Sequence, residues 1–382
     1  VFETNSLLAH IPPVESLTEA QLAALRALAR MNLSQDQTRG LTAWHSDAVV
    51  AGELVEILGV VGTPEDQALR AEAVRRLVLL LQGPYLPVSE RLKAALLLTR
   101  LGGSYLPTPE QPDSWCPIEP GPCWLGDETQ EALEPCTLPS AYRIARFPVT
   151  NAEYRTFIEA GSADLRQDWW TEEGRKWLTG QEPAAREQWD HPHHNLPTQP
   201  VVEVSWYEAV AYCGWLTDRG HREGWPPAEA IIRLPTYAEW VRAARHTDQR
   251  RYPWGNFAPS PQLANYDAAA MGRPTPVGCF PRGAAVCGAQ DMLGNVWEWT
   301  ATPWGQPHQL APLGDGEPYP EIEQRPIVAS TGFPDGEEGL CCGARYWFNR
   351  NKREDFLGFR VVWSSPGPDA QPLGAEHEQG KP

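Results

Sequence analysis

Four groups of residues have types and spacings that could do chemistry. Cys341 and Cys342 stand side by side in Gly339-Leu-Cys-Cys-Gly-Ala-Arg345. Two thiolates that share one soft metal ion must project into the same cleft, whereas neighbours on a strand face opposite sides. One buried and one exposed thiol is therefore expected, not a metal pair. Asp291 and Glu298 flank Gly294 and Asn295, which permit a tight backbone path. Side-chain and carbonyl oxygens there could hold a hard cation, and a salt bridge or hydrogen bonds could take its place. His191-Pro-His-His194 has metal-binding residue types, but Asn195-Leu-Pro-Thr-Gln-Pro follows and the stretch reads as a surface loop. The fourth group is Arg345-Tyr-Trp-Phe-Asn-Arg-Asn-Lys-Arg-Glu-Asp-Phe356. Its mixture of aromatics and amides gives large contact area with adaptable hydrogen bonding, as in a binding surface.

Charge distribution sharpens the last group. From Arg345 to Arg360 there are five basic and two acidic residues, inside a chain of net charge -17. Residues 314–339 carry seven acids and one Arg. Either one loop folds onto the other, or the basic segment steers an acidic ligand. The overall charge argues against nucleic acid as a partner, since a basic surface supplies most of that affinity. No apolar run approaches the roughly 18 residues of a spanning helix, so membrane insertion is not expected. With 42% hydrophobic and 21% charged residues, the composition is that of a globular chain. Eight cysteines among 382 residues, without a C-x-x-C, make neither a disulfide scaffold nor a zinc ribbon. The missing disulfide pattern favours the cytoplasm, with surface display as the alternative.

The elements that position these groups fall into two regions. Of 17 tryptophans only Trp44 precedes residue 115. Residues 1–105 are instead rich in Leu and Ala at helical spacing and predict an α-helical domain. Ser16-x-x-Glu19 reads as a capping box before Leu22, Leu25 and Leu28. A second helix is expected near Asp47–Val60. Thr63-Pro64-Glu65-Asp66 opens a third, whose buried stripe is Leu69, Ala73, Leu77 and Leu81. Ser89 is expected to cap a fourth through Leu92 and Leu96, ending at Gly102-Gly103. Residues 106–114 form a Pro-rich linker. Residues 115–365 predict a loop-rich α+β domain with helices at Ser205–Thr217 and Thr236–His246, and residues 366–382 a flexible tail.

Several ordered segments of this second region carry a family resemblance. They are Phe147-Pro-Val-Thr-Asn-Ala-Glu-Tyr154, Gln199-Pro-Val-Val-Glu-Val-Ser-Trp206, Arg233-Leu-Pro-Thr-Tyr-Ala-Glu-Trp240, Tyr252-Pro-Trp-Gly-Asn256, Asp291-Met-Leu-Gly-Asn-Val-Trp-Glu-Trp299 and Leu357-Gly-Phe-Arg360. Together they resemble the formylglycine-generating-enzyme (sulfatase-modifying factor) family, which implies a C-type-lectin fold for about residues 115–363. That family activates oxygen on copper held by two cysteines five positions apart. Cys341 and Cys342 do not overlay such a pair, so no copper is expected. The resemblance also implies a structural calcium on the side chains of Asp291 and Glu298 and the carbonyls of Gly294 and Val296. A related oxidase branch uses a histidine-rich iron motif in a helical N-terminal domain. Here that region has only His10 and His45, so this chemistry is expected to be absent.

Within the family, the missing cysteine pair and the composition of residues 345–356 resemble the variable proteins of diversity-generating retroelements. That resemblance implies a non-enzymatic protein whose diversified surface binds a ligand, expected to be a protein. The implied face comprises Phe333, Asp335, Leu340, Cys341, Tyr346, Trp347, Phe348, Asn349, Asn351, Asp355 and Phe356. The alternatives are a copper/thiol oxidase of the formylglycine-generating type using Cys341 or Cys342, and a sensor subunit whose helical region transmits binding.

Overall fold

The structure is a computed structural model that describes residues 17–34, 41–58, 63–83, 86–127, 132–162, 164, 168–180, 194–310 and 325–364. His10, Ser16, His191, His193 and residues 366–382 lie outside the described residues. The chain divides into two compact units, Val1–Leu106 and Pro107–Pro382.

Among the described residues the first unit contains four helices, α1 (Glu19–Ser34), α2 (Leu41–Leu58), α3 (Pro64–Gln82) and α4 (Val88–Arg100). Helix α3 starts where the sequence places it. Thr63 accepts from the Asp66 N–H while Asp66 accepts from the Thr63 N–H, and Leu69, Ala73, Leu77 and Leu81 are buried. The Asp66 carboxylate also takes two hydrogen bonds from Arg26 of α1. The Arg26 hydrogen bond, ahead of those from Thr63, holds its pKa down at about 2. One carboxylate therefore both caps a helix and ties two helices together.

Three helix starts differ from the sequence reading, and the first is that of α2, which begins at Leu41 and not near Asp47. Helix α1 begins at Glu19, and Thr18 and Gln21 exchange the bonds at its start. Consequently Leu22, Ala29 and Leu33 face inward and Leu28 is 40% exposed. At α4 the cap position is Pro87, which has no side-chain bond, and Ser89 lies inside the helix. Proline fixes the φ that chain entry requires, and makes a hydroxyl cap dispensable.

The second unit is α+β. A four-stranded sheet has the order β1 (Trp115–Ile118), β4 (Tyr142–Ala145), β10 (Val362–Ser364), β5 (Ile231–Arg233). A hairpin pairs β2 (Gly121–Leu125) with β3 (Glu134–Leu138). A second four-stranded sheet has the order β8 (Arg345–Trp347), β7 (Pro326–Ala329), β6 (Trp297–Pro303), β9 (Leu357–Phe359), in which only β6–β9 is parallel. Helices α5 (Asn151–Glu159), α6 (Glu172–Thr179), α7 (Trp206–Glu223) and α8 (Tyr237–Arg245) complete the unit. Capping boxes open α5, α7 and α8, at Thr150/Glu153, Ser205/Glu208 and Thr236/Glu239. Helix α7 runs six residues beyond the expected Thr217 and ends on Gly224 at φ 83, the left-handed stop that glycine supplies.

Tryptophans fill this unit because each buries a large ring while its indole N–H still finds an acceptor. Trp206 donates to the Thr300 carbonyl, and Trp299 donates to the Val204 carbonyl. The hairpin end packs so closely on the chain before β8 that a Cβ at Gly343 would collide with the Gly126 carbonyl oxygen. Replacing Gly343 with Ala is therefore expected to lose about 1–3 kcal/mol of stability, the usual range for overpacking, as read by chemical denaturation.

Candidate functional site

Strand β6 sorts its side chains by alternation. Trp297 and Trp299 project to one side and Glu298 to the other. Glu298 and Arg360 are both fully buried and joined twice, with Arg360 Nε donating to Oε2 at 2.6 Å and Nη2 to Oε1 at 2.7 Å. Trp240 of α8 donates to Oε2 at 2.7 Å. The remaining guanidinium hydrogens reach the carbonyls of Ala145, Gln290 and Asp291.

In this arrangement the expected calcium ligands are engaged with protein groups. A guanidinium joins the Glu298 carboxylate to the Asp291 carbonyl, and the Asp291 side chain accepts from the Gly278 N–H. The Gly294 carbonyl accepts from the Val296 N–H. Residues Asp291, Gly294, Val296 and Glu298 do not fit a calcium ion, because a cation at Glu298 would have to displace Arg360. The salt bridge is the alternative the sequence left open.

The cysteine pair also differs from expectation. Cys341 and Cys342 are 1% and 0% exposed, and they lie in a turn, not a strand, so the alternation rule does not apply to them. The Cys342 N–H donates to the Arg251 carbonyl. Two enclosed thiols on adjacent residues do not fit a copper ion that must meet substrate and oxygen in a cleft. Among the described residues no group of three or more His, Cys, Asp or Glu side chains could hold a metal.

The eleven residues of the expected binding face separate by burial. Phe333, Leu340 and Cys341 are buried and belong to the interior. Asn349 and Asn351 are exposed on the turn after β8, and Asp355 is half-buried. Tyr346 is 49% exposed, and Trp347, Phe348 and Phe356 are half-buried. The Tyr346 and Trp347 rings stack at 5.6 Å, and Phe348 lies 5.4 Å from Tyr346 and 6.4 Å from Phe356. Trp297 adjoins this group, its N–H donating to the Phe356 carbonyl at 2.8 Å. It is half-buried and was missed by the sequence reading. The period-two alternation of Trp297 and Trp299 was the signal that could have found it.

Asp335 connects to the aromatic group through Trp297. Its Oδ2 accepts from Trp297 Nε1 at 2.7 Å and from the Gly332 N–H at 2.6 Å. Both bonds fall on one oxygen, which leaves Oδ1 to a ligand. Burial raises the pKa of this carboxyl, against the opposing effect of those two donors.

The five basic side chains of residues 345–360 are engaged nearby. Arg345 lies 5.2 Å from the Trp304 ring and Arg350 4.2 Å from Trp206. Arg353 pairs with Glu208 at 2.7 Å, Lys352 with Glu354 at 2.5 Å, and Arg360 with Glu298. The net positive charge in the sequence is thus paired with acids or rings within the domain, Lys352 at its surface and Arg360 in its interior, and the carboxylate bonded to Trp297 at the aromatic group is that of Asp335.

A family model for the sulfatase-modifying factor enzyme 1-like domain matches residues 105–365. A protein of Mycolicibacterium thermoresistibile named hercynine oxygenase is 34% identical over 258 residues, covering 61% of this chain and 53% of that protein. The protein of that name in Mycolicibacterium smegmatis is 39% identical over 249 residues, covering 58% and 53%. Formylglycine-generating enzyme of Bos taurus is 26% identical over 311 residues, covering 66% and 75%. The chain spans about half the length of the two hercynine oxygenases. These names are names of enzymes, and they overturn the expectation of a non-enzymatic, diversified binding protein.

Losing one partner of a buried ion pair leaves an uncompensated charge and costs about 3–5 kcal/mol. Arg360→Met is expected to lose that much stability in denaturant titrations, and the double variant with Glu298→Gln to recover part of it. Chelation with EDTA is expected to leave the Tm of the native protein unchanged.

Proposed function

Because this chain belongs to the sulfatase-modifying factor enzyme 1-like family, we propose that residues 105–365 are the substrate-binding part of an oxidative enzyme that acts on a small organic cation. The observation that carries the reading is the partly exposed group of Tyr346, Trp347, Phe348, Phe356 and Trp297 with the Asp335 carboxylate at its edge. Aromatic faces attract a cation through their quadrupole, most strongly when the cation is partly desolvated. A carboxylate with one uncommitted oxygen adds a directional contact. The relatives named hercynine oxygenase, at 34% and 39% identity, support an oxidative reaction. No step is assigned to copper at Cys341 and Cys342, whose burial does not suit it.

In this reading the division of labour follows from position. Tyr346 and Phe348 supply ring surface, Trp297 fixes the Asp335 carboxylate through its indole N–H, and Asp335 contributes the charge. Lys352, Arg353 and Arg360 of the same segment are held by Glu354, Glu208 and Glu298, and Arg325 lies 4.3 Å over the Trp347 ring, so the ring surface offered to a ligand is that of Tyr346 and Phe348.

Calorimetric titration with tetramethylammonium, and with hercynine as second ligand, tests this. Loss of a cation–π contact is worth about 0.5–2 kcal/mol, or roughly 2- to 30-fold in Kd. Phe348→Ala and Asp335→Asn are each expected to weaken binding by that order. Because burial raises the Asp335 pKa, binding should weaken on acidification at a higher pH than an ordinary aspartate would give. Tight binding of an organic anion, with none of either cation, would refute the reading.

A further inference from the structure

Two of the eight cysteines face each other across the β2–β3 hairpin. We infer that Cys123 and Cys136 are a peroxide-reactive dithiol, a redox modification site in which Cys136 attacks the oxidant and Cys123 closes the disulfide. This is independent of the aromatic site and of the function proposed for it.

Cys123 and Cys136 are direct antiparallel partners in the hairpin register. Such partners share a face with Cα atoms about 4.5–5.5 Å apart, inside the roughly 4.4–6.8 Å that a disulfide spans. The two thiols hydrogen-bond each other. Their surroundings differ in the sense the two roles require. Cys136 is only partly buried, whereas Cys123 is 1% exposed and packed in the domain core. His308 reaches Cys136 and bonds through Nε2 to Glu134, two positions earlier on the same face of β3. The hydrogen bond from Cys123 draws the Cys136 pKa down to about 6, with the charge and hydrogen bond of His308 adding to it against burial. Its partner bond and burial push Cys123 up. A thiolate at the surface beside a histidine is the reactive kind, and a buried thiol is inert until a neighbour is oxidised.

The chemistry balances with hydrogen peroxide as the oxidant. The Cys136 thiolate attacks one peroxide oxygen, the O–O bond breaks, and the departing hydroxide takes a proton to leave as water. The Cys123 sulfur then attacks the resulting sulfenic sulfur, the S–O bond breaks, and the hydroxide leaves with the Cys123 proton as a second water. Two thiols are oxidised by two electrons and one peroxide becomes two waters. A metal site is not the better reading, since no third ligand completes one among the described residues. Cys116 and Cys287 also hydrogen-bond each other. No histidine is among the groups acting on that pair, so it serves as an internal comparison.

The test treats the reduced full-length chain with one equivalent of hydrogen peroxide, blocks the remaining thiols and maps peptides by mass spectrometry. The expected result is a peptide joining Cys123 to Cys136 with the loss of two hydrogens. In Cys123→Ser the reaction should stop at a sulfenic acid on Cys136, captured by dimedone. In Cys136→Ser no crosslink should form at Cys123. His308→Ala should slow alkylation of Cys136 at neutral pH by about tenfold, as expected when thiolate stabilisation is lost. Circular dichroism establishes that each variant is folded. Free Cys123 and Cys136 in the wild-type protein after peroxide, or a crosslink confined to Cys116 and Cys287, would overturn the inference.

Discussion

The buried pair of Glu298 and Arg360 is the constraint on which the second unit depends. Taking both charges out of water costs several kcal/mol per ion, so the pair can persist only if every remaining donor and acceptor is satisfied. That condition recruits Trp240 from α8, the Ala145 carbonyl at the end of β4, and the carbonyls of Gln290 and Asp291. A single guanidinium thereby fixes two sheets, one helix and one loop. The loop needs it, because Asp291, Gly294 and Asn295 all have positive φ, which disfavours the two non-glycine residues. Asn295 offsets this by exchanging side-chain bonds with the Thr275 backbone.

From that constraint follows the polarity of the candidate site. Arg360 is consumed inside, and strand alternation turns Trp297 and Trp299 to the side opposite Glu298. Trp299 is sealed, whereas Trp297 reaches the half-buried edge and meets Asp335. Every other cation of the C-terminal segment finds a ring or carboxylate nearby. A stretch that is basic in sequence thus presents an aromatic and acidic edge. Counting charges along a chain gives the sign of a surface only where those charges stay in solvent.

How much was legible in the sequence depended on the range of the interaction. The helix starts at Thr63, Ser205 and Thr236 are local, their capping bonds spanning three residues, and the structure has all three starts. The start of α1 slipped by two residues because Thr18 and Gln21 offer the same local chemistry as Ser16 and Glu19. The ordered segments from Phe147 to Arg360 were sufficient for the fold. The partner of Glu298 was not legible, since Arg360 is 62 residues away and a calcium ion or an arginine can satisfy the same carboxylate. The turn at Cys341 and Cys342 was hidden for a similar reason. Residues 341–343 form a turn beside the close approach of Gly343 to Gly126, and strand alternation does not extend to a turn.

The comparisons redirect function more than fold. The absence of a catalytic cysteine pair does not entail absence of catalysis, because a family need not keep one chemistry on one set of residues. Function resides in sites grafted on a fold, so one missing site removes one mechanism and leaves the others standing. The relatives named hercynine oxygenase share this domain at 34% and 39% identity. What the domain itself presents is an aromatic edge with a fixed carboxylate. The same reasoning separates Cys341 and Cys342 from Cys123 and Cys136. Adjacency in sequence placed the first pair in a closed turn, while twelve intervening positions and one hairpin register brought the second pair face to face. Which thiols of this chain meet is decided by strand pairing and burial, not by spacing along the sequence.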